Sequence, residues 1–146
     1  MLEPAGLYLH IPFCHSRCTY CSFVTGSYDE SLSQAYLRSL RREIAAYANG
    51  RVCDTLYLGG GTPSIVPPEE IESLISVARD SFHLTPDAEV TMEVNPSDID
   101  SRRLELYLSY GINRISLGVQ SFIGAELERI VRDHTASQAE IAFKDL

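Results

Sequence analysis

Three cysteines lie within eight residues near the start of the chain, at Cys14, Cys18 and Cys21, in the spacing C-x3-C-x2-C. Three thiolates on one short loop are typical of a metal site. A closed zinc site normally uses four protein ligands, whereas an iron–sulfur cubane can be held by three thiolates with one iron left free. The spacing therefore favours an iron–sulfur cluster, and the free iron is a position for a further ligand.

The residues alone leave three alternatives to a cluster open. The cysteines form a disulfide pair with one left over, or they hold zinc with His10 or His15 as the fourth ligand, or their spacing is chance. The remaining cysteine, Cys53, lies in a separate apolar run over residues 52–58. A free thiol in such a run usually behaves as a small buried apolar group, so we interpret Cys53 as a core residue.

Composition limits the classes of function that the chain can have. Its 146 residues are 45% hydrophobic and 22% charged, as in a globular protein with one core. A net charge of −8 without a run of Lys or Arg predicts no nucleic-acid binding through phosphate contacts. The sequence shows neither a signal-peptide pattern nor an apolar run long enough to span a bilayer, so we expect a cytoplasmic protein without a membrane span. Clustered cysteines in a reducing compartment favour metal binding over disulfides.

Strand and helix patterns alternate along the whole chain. In the first strand, Leu7, Leu9 and Ile11 share one face, which is the period of two of a strand. Capping boxes and glycine or proline signals mark the helix ends. After the first strand, the patterns predict a helix opened by a capping box at Ser31-x-x-Gln34 and closed by Asn49-Gly50. A strand over 53–58, a glycine-rich turn over 59–64 and a helix opened by Pro67-Pro68 follow. The rest of the chain is predicted to form a strand over about 89–94, a helix over about 100–109, a strand over 113–119, a helix beginning near Ser121, and a short helix opened by a capping box at Thr135.

Alternation of this kind predicts a parallel sheet with right-handed crossovers, in an α/β barrel or an open doubly wound sheet. Apolar residues occupy one face of the third and fourth strands, and polar residues occupy the other. Helices can cover only the apolar face, so the polar face should line an interior. Glu93 and Gln120 lie at the carboxyl ends of these strands, where α/β enzymes gather their functional groups.

The cysteine loop and its place after a strand resemble the radical S-adenosylmethionine superfamily. The resemblance narrows to the oxygen-independent coproporphyrinogen III oxidase family through four segments in matching order: Tyr8 to Cys14, Gly59 to Pro63, Glu93 to Pro96, and Leu117 to Phe122. It implies a partial (β/α)6 barrel resembling a TIM barrel, of which this chain would supply four strand–helix units. We therefore expect residues 1–146 to be a radical S-adenosylmethionine core domain that is incomplete at its carboxyl end and has an open sheet edge.

The same resemblance implies the cofactors and the residues that hold them. Cys14, Cys18 and Cys21 would bind a [4Fe-4S] cluster, whose free iron chelates the amino and carboxylate groups of S-adenosylmethionine. An electron from the cluster then cleaves the sulfonium bond and yields a 5′-deoxyadenosyl radical. Further contacts to S-adenosylmethionine are implied for Tyr8, Tyr20, Gly60, Gly61, Thr62, Glu93, Gln120 and Arg132.

One position separates two branches of this family. The porphyrinogen oxidases carry a further cysteine two residues after the third ligand, whereas this chain has Phe23 there. Phe23 and the segment Arg132 to Thr135 resemble the haem chaperone branch, often called HemW. That branch implies haem as a further ligand, a haem-acceptor protein as partner, and an electron donor such as flavodoxin or ferredoxin. The alternatives are a coproporphyrinogen III oxidase, which is an enzyme of haem biosynthesis that decarboxylates the propionates of a porphyrinogen, and an inactive fragment.

Overall fold

Strands and helices alternate in the structure, a computed structural model that describes residues 3–146. The strands are β1 (Ala5–Ile11), β2 (Phe13–Cys14), β3 (Gly26–Ser27), β4 (Val52–Gly60), β5 (His83–Val94) and β6 (Arg114–Leu117). The helices are α1 (Glu30–Ala46), α2 (Pro68–Ser81), α3 (Ser101–Ser109), α4 (Gly124–Arg129) and α5 (Ala136–Asp145), with short 3₁₀ turns at Pro63–Ile65 and Pro96–Asp98. Four strands form one parallel sheet in the order β1-β4-β5-β6, and β2 pairs with β3.

The core lies between the helices and the apolar face of the large sheet. Leu56, Leu58 and Met92 of the central strands are fully buried against α1 and α2, which contribute Leu37 and Ile75 among others. Burying one such side chain is worth about 1.5 to 3 kcal/mol. The alternation of apolar residues in the third predicted strand is thereby confirmed. Cys53 also is buried, as predicted.

The first helix begins differently from the prediction. Its N-cap is Asp29, whose carboxylate accepts hydrogen bonds from the backbone N–H of Leu32 and the hydroxyl of Ser31. The predicted capping box at Ser31 and Gln34 was wrong because Asp29, two residues earlier, competes for the same role with a charged acceptor. At the other end the helix stops at Ala46, before Asn49-Gly50. The capping box at Thr135 is confirmed, and Pro67-Pro68 does open α2.

Several strand ends also differ from the predicted ends. Strand β4 continues through Gly59 and Gly60, which were predicted to lie in a turn, and β5 begins at His83 instead of near residue 89. Strand β6 ends at Leu117: the Gly118 N–H makes the last ladder bond, to the Val94 carbonyl, and the chain then turns at Gln120, which takes a left-handed φ of 64°. The strand therefore ends before residue 119, and α4 begins three residues after Ser121.

The two-residue ladder between β2 and β3 was not predicted. It brackets the cysteine loop, since Phe13 pairs with Gly26 and Cys14 with Ser27. Backbone hydrogen bonds from Gly26 to Pro12 and from Tyr28 to Cys14 close the base of the loop. The loop is thus held at both ends.

Strand β6 pairs only with β5 among the strands of residues 3–146, so its outer edge is open, as predicted. Helix α5 packs against the turn at Pro96–Asp98. Within the same residues, no helix is both long enough and apolar enough to cross a bilayer.

Candidate functional site

The cysteine loop lies over the carboxyl end of the large sheet. It leaves β2 at Cys14, and a tight turn follows in which the Cys21 N–H bonds to the Cys18 carbonyl. Arg17 donates to the Cys21 carbonyl at 3.2 Å, and the Thr19 N–H bonds to the Ile130 carbonyl. All four cysteines are free thiols. The loop is therefore folded by its own hydrogen bonds and by a contact to the chain segment after α4.

A cavity of about 320 Å³ lies between this loop and the strand ends. The loop supplies one wall, and the segments after β4, β5 and β6 supply the others. Its lining includes the three loop cysteines and most of the residues that the sequence predicted as cofactor contacts: Cys14, Cys18, Tyr20, Cys21, Gly60, Gly61, Thr62, Glu93, Gln120 and Arg132.

The groups around Cys14 act on the charge of its thiol in opposite directions. The Thr62 hydroxyl donates to Cys14 Sγ at 3.5 Å, which favours the charged form. Burial raises the pKa of the Cys14 thiol, and Cys21 and Cys18 raise it further, while Thr62 and Arg132 act in the opposite direction. Gly61 approaches so closely that a Cβ there would lie 2.9 Å from Cys14 Sγ and 2.6 Å from the Phe13 carbonyl oxygen. Only glycine leaves this space open, and the three thiols beside it form the donor set that an iron–sulfur cluster requires.

The two histidines considered as zinc ligands make other contacts. His10 Nε2 lies 2.9 Å from the Val24 carbonyl and its Nδ1 lies 3.0 Å from the Tyr8 hydroxyl. His15 Nε2 lies 3.4 Å from an Asp98 carboxylate oxygen. Within residues 3–146, no three His, Cys, Asp or Glu side chains converge closely enough to share one metal ion. A cubane differs from a single ion here, because each thiolate binds a separate iron.

Glu93 lies at the end of β5 and bridges two strands. Its carboxylate accepts hydrogen bonds from the Tyr57 hydroxyl at 2.8 Å and from the Gly60 N–H at 3.0 Å. Burial raises the pKa of Tyr57, and the bond to Glu93 adds to that rise. Glu93 therefore fixes the glycine segment against the cavity and presents a carboxylate on its wall.

Arg132 reaches into the cavity from the segment after α4. Its Nη2 donates to the Gly118 carbonyl at 2.7 Å and to Asn95 Oδ1 at 3.1 Å, and its Nη1 lies 3.5 Å from Cys18 Sγ. The Nε atom is buried and donates to no group of residues 3–146. A buried donor of this kind is costly unless a ligand accepts its hydrogen bond, so Arg132 is suited to binding an anion.

Of the three other residues predicted to contact S-adenosylmethionine, two line the cavity and one does not. Gln120 and Tyr20 line the cavity and are exposed. Tyr8 does not line it: its ring stacks on Tyr57 with a centroid distance of 6.0 Å, and its hydroxyl bonds to His10. Tyr8 thus lies on the polar face of the sheet, next to the Glu93 bridge.

Several residues that the sequence did not single out also contribute to the site. Asn95 is 5% exposed and bonds to Arg132, to Asp133 and, through its backbone N–H, to the Ser64 hydroxyl. His134 is 3% exposed and lies beside Arg132. A polar residue directly after a parallel strand was a usable signal for Asn95. His134 lies in the segment Arg132 to Thr135 that resembles the haem chaperone branch, but no local signal indicated its contacts with Asn95 and Val119, which lie elsewhere in the chain.

The radical SAM superfamily model matches residues 8–146. The chain belongs to this superfamily. A solved structure of coproporphyrinogen III oxidase (HemN) from Escherichia coli, a radical SAM enzyme, superposes with a TM-score of 0.89 at 32% identity over 97% of this chain. That likeness confirms the predicted fold class, an α/β fold that forms part of a TIM-like barrel.

Similar sequences point to the branch within the superfamily. The heme chaperone HemW of Escherichia coli (strain K12) is 39% identical over 98% of this chain, and HemW of Synechocystis is 40% identical over 83%. Radical S-adenosyl methionine domain-containing protein 1 of Bos taurus mitochondria is 33% identical over 94%. The chain spans 39%, 31% and 32% of these proteins, respectively, and 34% of the HemN chain.

Proposed function

We propose that this chain binds a [4Fe-4S] cluster through Cys14, Cys18 and Cys21, and S-adenosylmethionine in the cavity beside it. One observation carries the proposal: the three thiols line the same cavity as the glycine segment Gly60-Gly61-Thr62, Glu93 and Arg132. A cluster held by three thiolates has one iron without a protein ligand, and the cavity lies next to that position.

Each wall of the cavity has a defined part in this proposal. When bound, the reduced cluster and S-adenosylmethionine together supply a carbon-centred radical. Arg132 offers its free Nε–H to a carboxylate, and Glu93 offers an acceptor to hydroxyl or ammonium groups. The exposed amide of Gln120 can donate and accept. Gly61 admits the ligand because nothing but hydrogen projects from its Cα.

For the whole protein we propose a haem chaperone that binds haem and transfers it to an acceptor protein in the cytoplasm. Residues 1–146 would be part of its radical SAM core domain, and a flavodoxin or ferredoxin would be the electron donor. The similarity to HemW proteins supports this reading. So does Phe23, which is 66% exposed and lines the cavity where the oxidases have a further cysteine.

A second candidate is an oxygen-independent coproporphyrinogen III oxidase. The superposition on HemN supports it, since the fold is shared. The third alternative, an inactive fragment, predicts that the 146-residue chain retains neither cofactor.

The cluster is tested by anaerobic reconstitution of the 146-residue chain with iron and sulfide. Cys14→Ala, Cys18→Ala and Cys21→Ala should each abolish the cluster, whereas Cys53→Ala is the matched control and should keep it, because Cys53 is buried away from the loop. Iron and sulfide analysis with electron paramagnetic resonance measures both. A zinc-only stoichiometry, or loss of metal in Cys53→Ala, would refute the cluster assignment.

A test that separates the chaperone and oxidase proposals requires a protein that contains this segment and has the full length of the relatives. Haem binding and transfer to an apo-acceptor, measured next to porphyrinogen decarboxylation, separate them. Conversion of coproporphyrinogen to protoporphyrinogen would overturn the chaperone reading.

A further inference from the structure

Arg132 lies in a buried cage of polar groups that come from three parts of the chain. Gly118 and Asn95 accept from its Nη2, and His134 Nδ1 lies 3.4 Å from the same nitrogen. Asn95 and His134 are both nearly fully buried, at 5% and 3% exposure. Two buried polar side chains around one guanidinium are costly unless each makes its hydrogen bonds.

The orientation of Asn95 follows from its partners. Its Nδ2 donates to Asp133 Oδ1 at 2.6 Å, so its Oδ1 faces Arg132 and accepts at 3.1 Å. The backbone N–H of Asn95 bonds to the Ser64 hydroxyl, which in turn donates to Asp98. Asn95 is therefore fixed at two atoms, Nδ2 and the backbone nitrogen, before Arg132 is considered.

The proton on His134 follows from the same kind of accounting. Nε2 lies 2.9 Å from the Val119 carbonyl oxygen, which only accepts, so Nε2 must carry the hydrogen. Burial lowers the pKa of His134 most. The hydrogen bond to the Val119 carbonyl opposes that effect, the Arg132 cation lowers the pKa further, and Asp133 has the smallest, opposing effect. A neutral ring with hydrogen on Nε2 leaves a lone pair on Nδ1. Nη2 of Arg132 has two hydrogens: one goes to Gly118, and Asn95 Oδ1 at 3.1 Å and Nδ1 at 3.4 Å share the other. A ring that is protonated on Nδ1 as well would donate to Asn95 Oδ1, but it would place a second buried positive charge next to the Arg132 cation, which disfavours that form.

We propose that His134, as the neutral Nε2–H tautomer, is a positioning residue that locks the Arg132 guanidinium in place together with Asn95. The lock holds Nη2 and leaves the buried Nε–H free for the carboxylate of a ligand, and it keeps Nη1 at 3.5 Å from Cys18 Sγ. This role rests on the proposed S-adenosylmethionine site. His134 itself does not line the cavity and acts only through Arg132.

The tautomer is tested directly on the 146-residue chain without cofactors. Nitrogen-15 NMR of the histidine ring distinguishes Nε2–H, Nδ1–H and the doubly protonated ring. At about pH 8 we expect the His134 signals of the neutral Nε2–H form, and slowed exchange of the Arg132 guanidinium protons. An Nδ1–H tautomer or a doubly protonated ring would overturn the proposal. This readout holds whether or not the chain binds S-adenosylmethionine, so it separates a failure of the lock from a failure of the proposed function.

The action through Arg132 is tested by a double-mutant cycle on the reconstituted chain. His134→Ala should weaken S-adenosylmethionine binding about 10-fold, the size of one lost hydrogen-bonded contact, with the iron content unchanged. His134→Gln, whose amide can still donate toward Val119, should recover part of that loss. In an Arg132→Ala background, His134→Ala should cause no further loss.

His83 supplies the matched control, since it is an exposed histidine at the start of β5. His83→Ala should leave affinity unchanged. Equal losses from His134→Ala with and without Arg132 would overturn the positioning role and leave His134 as a packing residue. If the His134→Ala chain does not fold, the ring nitrogen measurement on the unmodified chain and the same cycle with His134→Gln together decide the proposal.

Discussion

Gly61 supports a specific prediction because two of the three atoms that a Cβ there would meet are backbone atoms, which cannot move aside easily. A Cβ at this position would lie 2.6 Å from the Phe13 carbonyl oxygen, 2.9 Å from the Phe13 nitrogen and 2.9 Å from Cys14 Sγ. The Gly61 N–H also bonds to the Ile11 carbonyl, and Thr62 bonds to Phe13. Gly61→Ala must therefore push the start of the cysteine loop away from the strand ends.

The size of the effect follows from overpacking. Forcing a methyl group into filled space costs about 1 to 3 kcal/mol, and each kcal/mol lowers the melting temperature of a domain this size by roughly 3 to 4 °C. We therefore expect Gly61→Ala to lower the melting temperature by about 3 to 12 °C. The φ angle of Gly61 is not left-handed, so the loss would come from the contact and not from backbone strain.

Gly26→Ala is the matched control. Gly26 pairs with Phe13 in the ladder that closes the same loop, but a Cβ there meets nothing within 4 Å. It should be neutral or slightly stabilising, by less than about 1 kcal/mol. Differential scanning calorimetry gives the stability, and iron analysis after reconstitution gives the cluster content, which should fall for Gly61→Ala alone because Cys14 is displaced. Equal melting temperatures and equal iron contents for the two variants would refute the close-approach argument.

Three further predictions address the ligand, the pH dependence and the sheet edge. Gln120→Ala should weaken S-adenosylmethionine binding roughly 5- to 150-fold, measured by calorimetric titration, without loss of stability. Glu93→Ala should lower both the affinity and the melting temperature, because Glu93 also bonds to Tyr57 and Gly60. Unchanged affinity in both variants would contradict this prediction. In the folded chain the pKa of His134 lies below its ordinary value of 6.5, so the unfolded chain binds the proton more tightly. The stabilisation by neutral His134 is therefore present above pH 6.5 and is lost as pH falls from 6.5 through the folded-state pKa. His134→Gln should make the free energy of unfolding less dependent on pH in this range, and parallel curves for the two chains would count against a buried neutral ring. Because β6 has an unpaired edge, the isolated 146-residue chain should self-associate as its concentration rises. Size-exclusion chromatography with light scattering measures this association. A monodisperse monomer with one sharp thermal transition would show that the edge is covered.

The sequence predicted those parts of the fold that local periodicity determines. Val90, Met92 and Val94 alternate with polar residues, and the structure buries all three against the helices. Helix α2 carries its apolar residues at helical spacing and begins where Pro67-Pro68 indicated. In both elements the local preference and the tertiary packing agree, so one pattern suffices.

The ends of elements were harder to predict because they depend on contacts with other segments. Gly59 and Gly60 suggested a turn, but pairing with β1 extends the strand through both. The two-residue ladder at Phe13 and Gly26 is too short to leave a periodic pattern in the sequence. The cysteine positions of the candidate site could be predicted from spacing and resemblance, whereas the groups that orient Arg132 could not.

The segment that carries Arg132 shows why local preference fails at this site. Val131, a β-branched residue, takes a left-handed φ of 58° directly after α4, where helices usually place glycine. The N–H groups of Val131 and Arg132 bond back to Glu128 and Leu127, which is the Schellman arrangement that closes the helix. Such a conformation costs a non-glycine residue about 1 to 2 kcal/mol, so the segment would not adopt it alone. The hydrogen bonds of Arg132 to Gly118 and Asn95 are the contacts that offset this cost. The strained turn and the polar cage are therefore two parts of one arrangement, and a change that releases Arg132 from the cage should also loosen the turn at Val131.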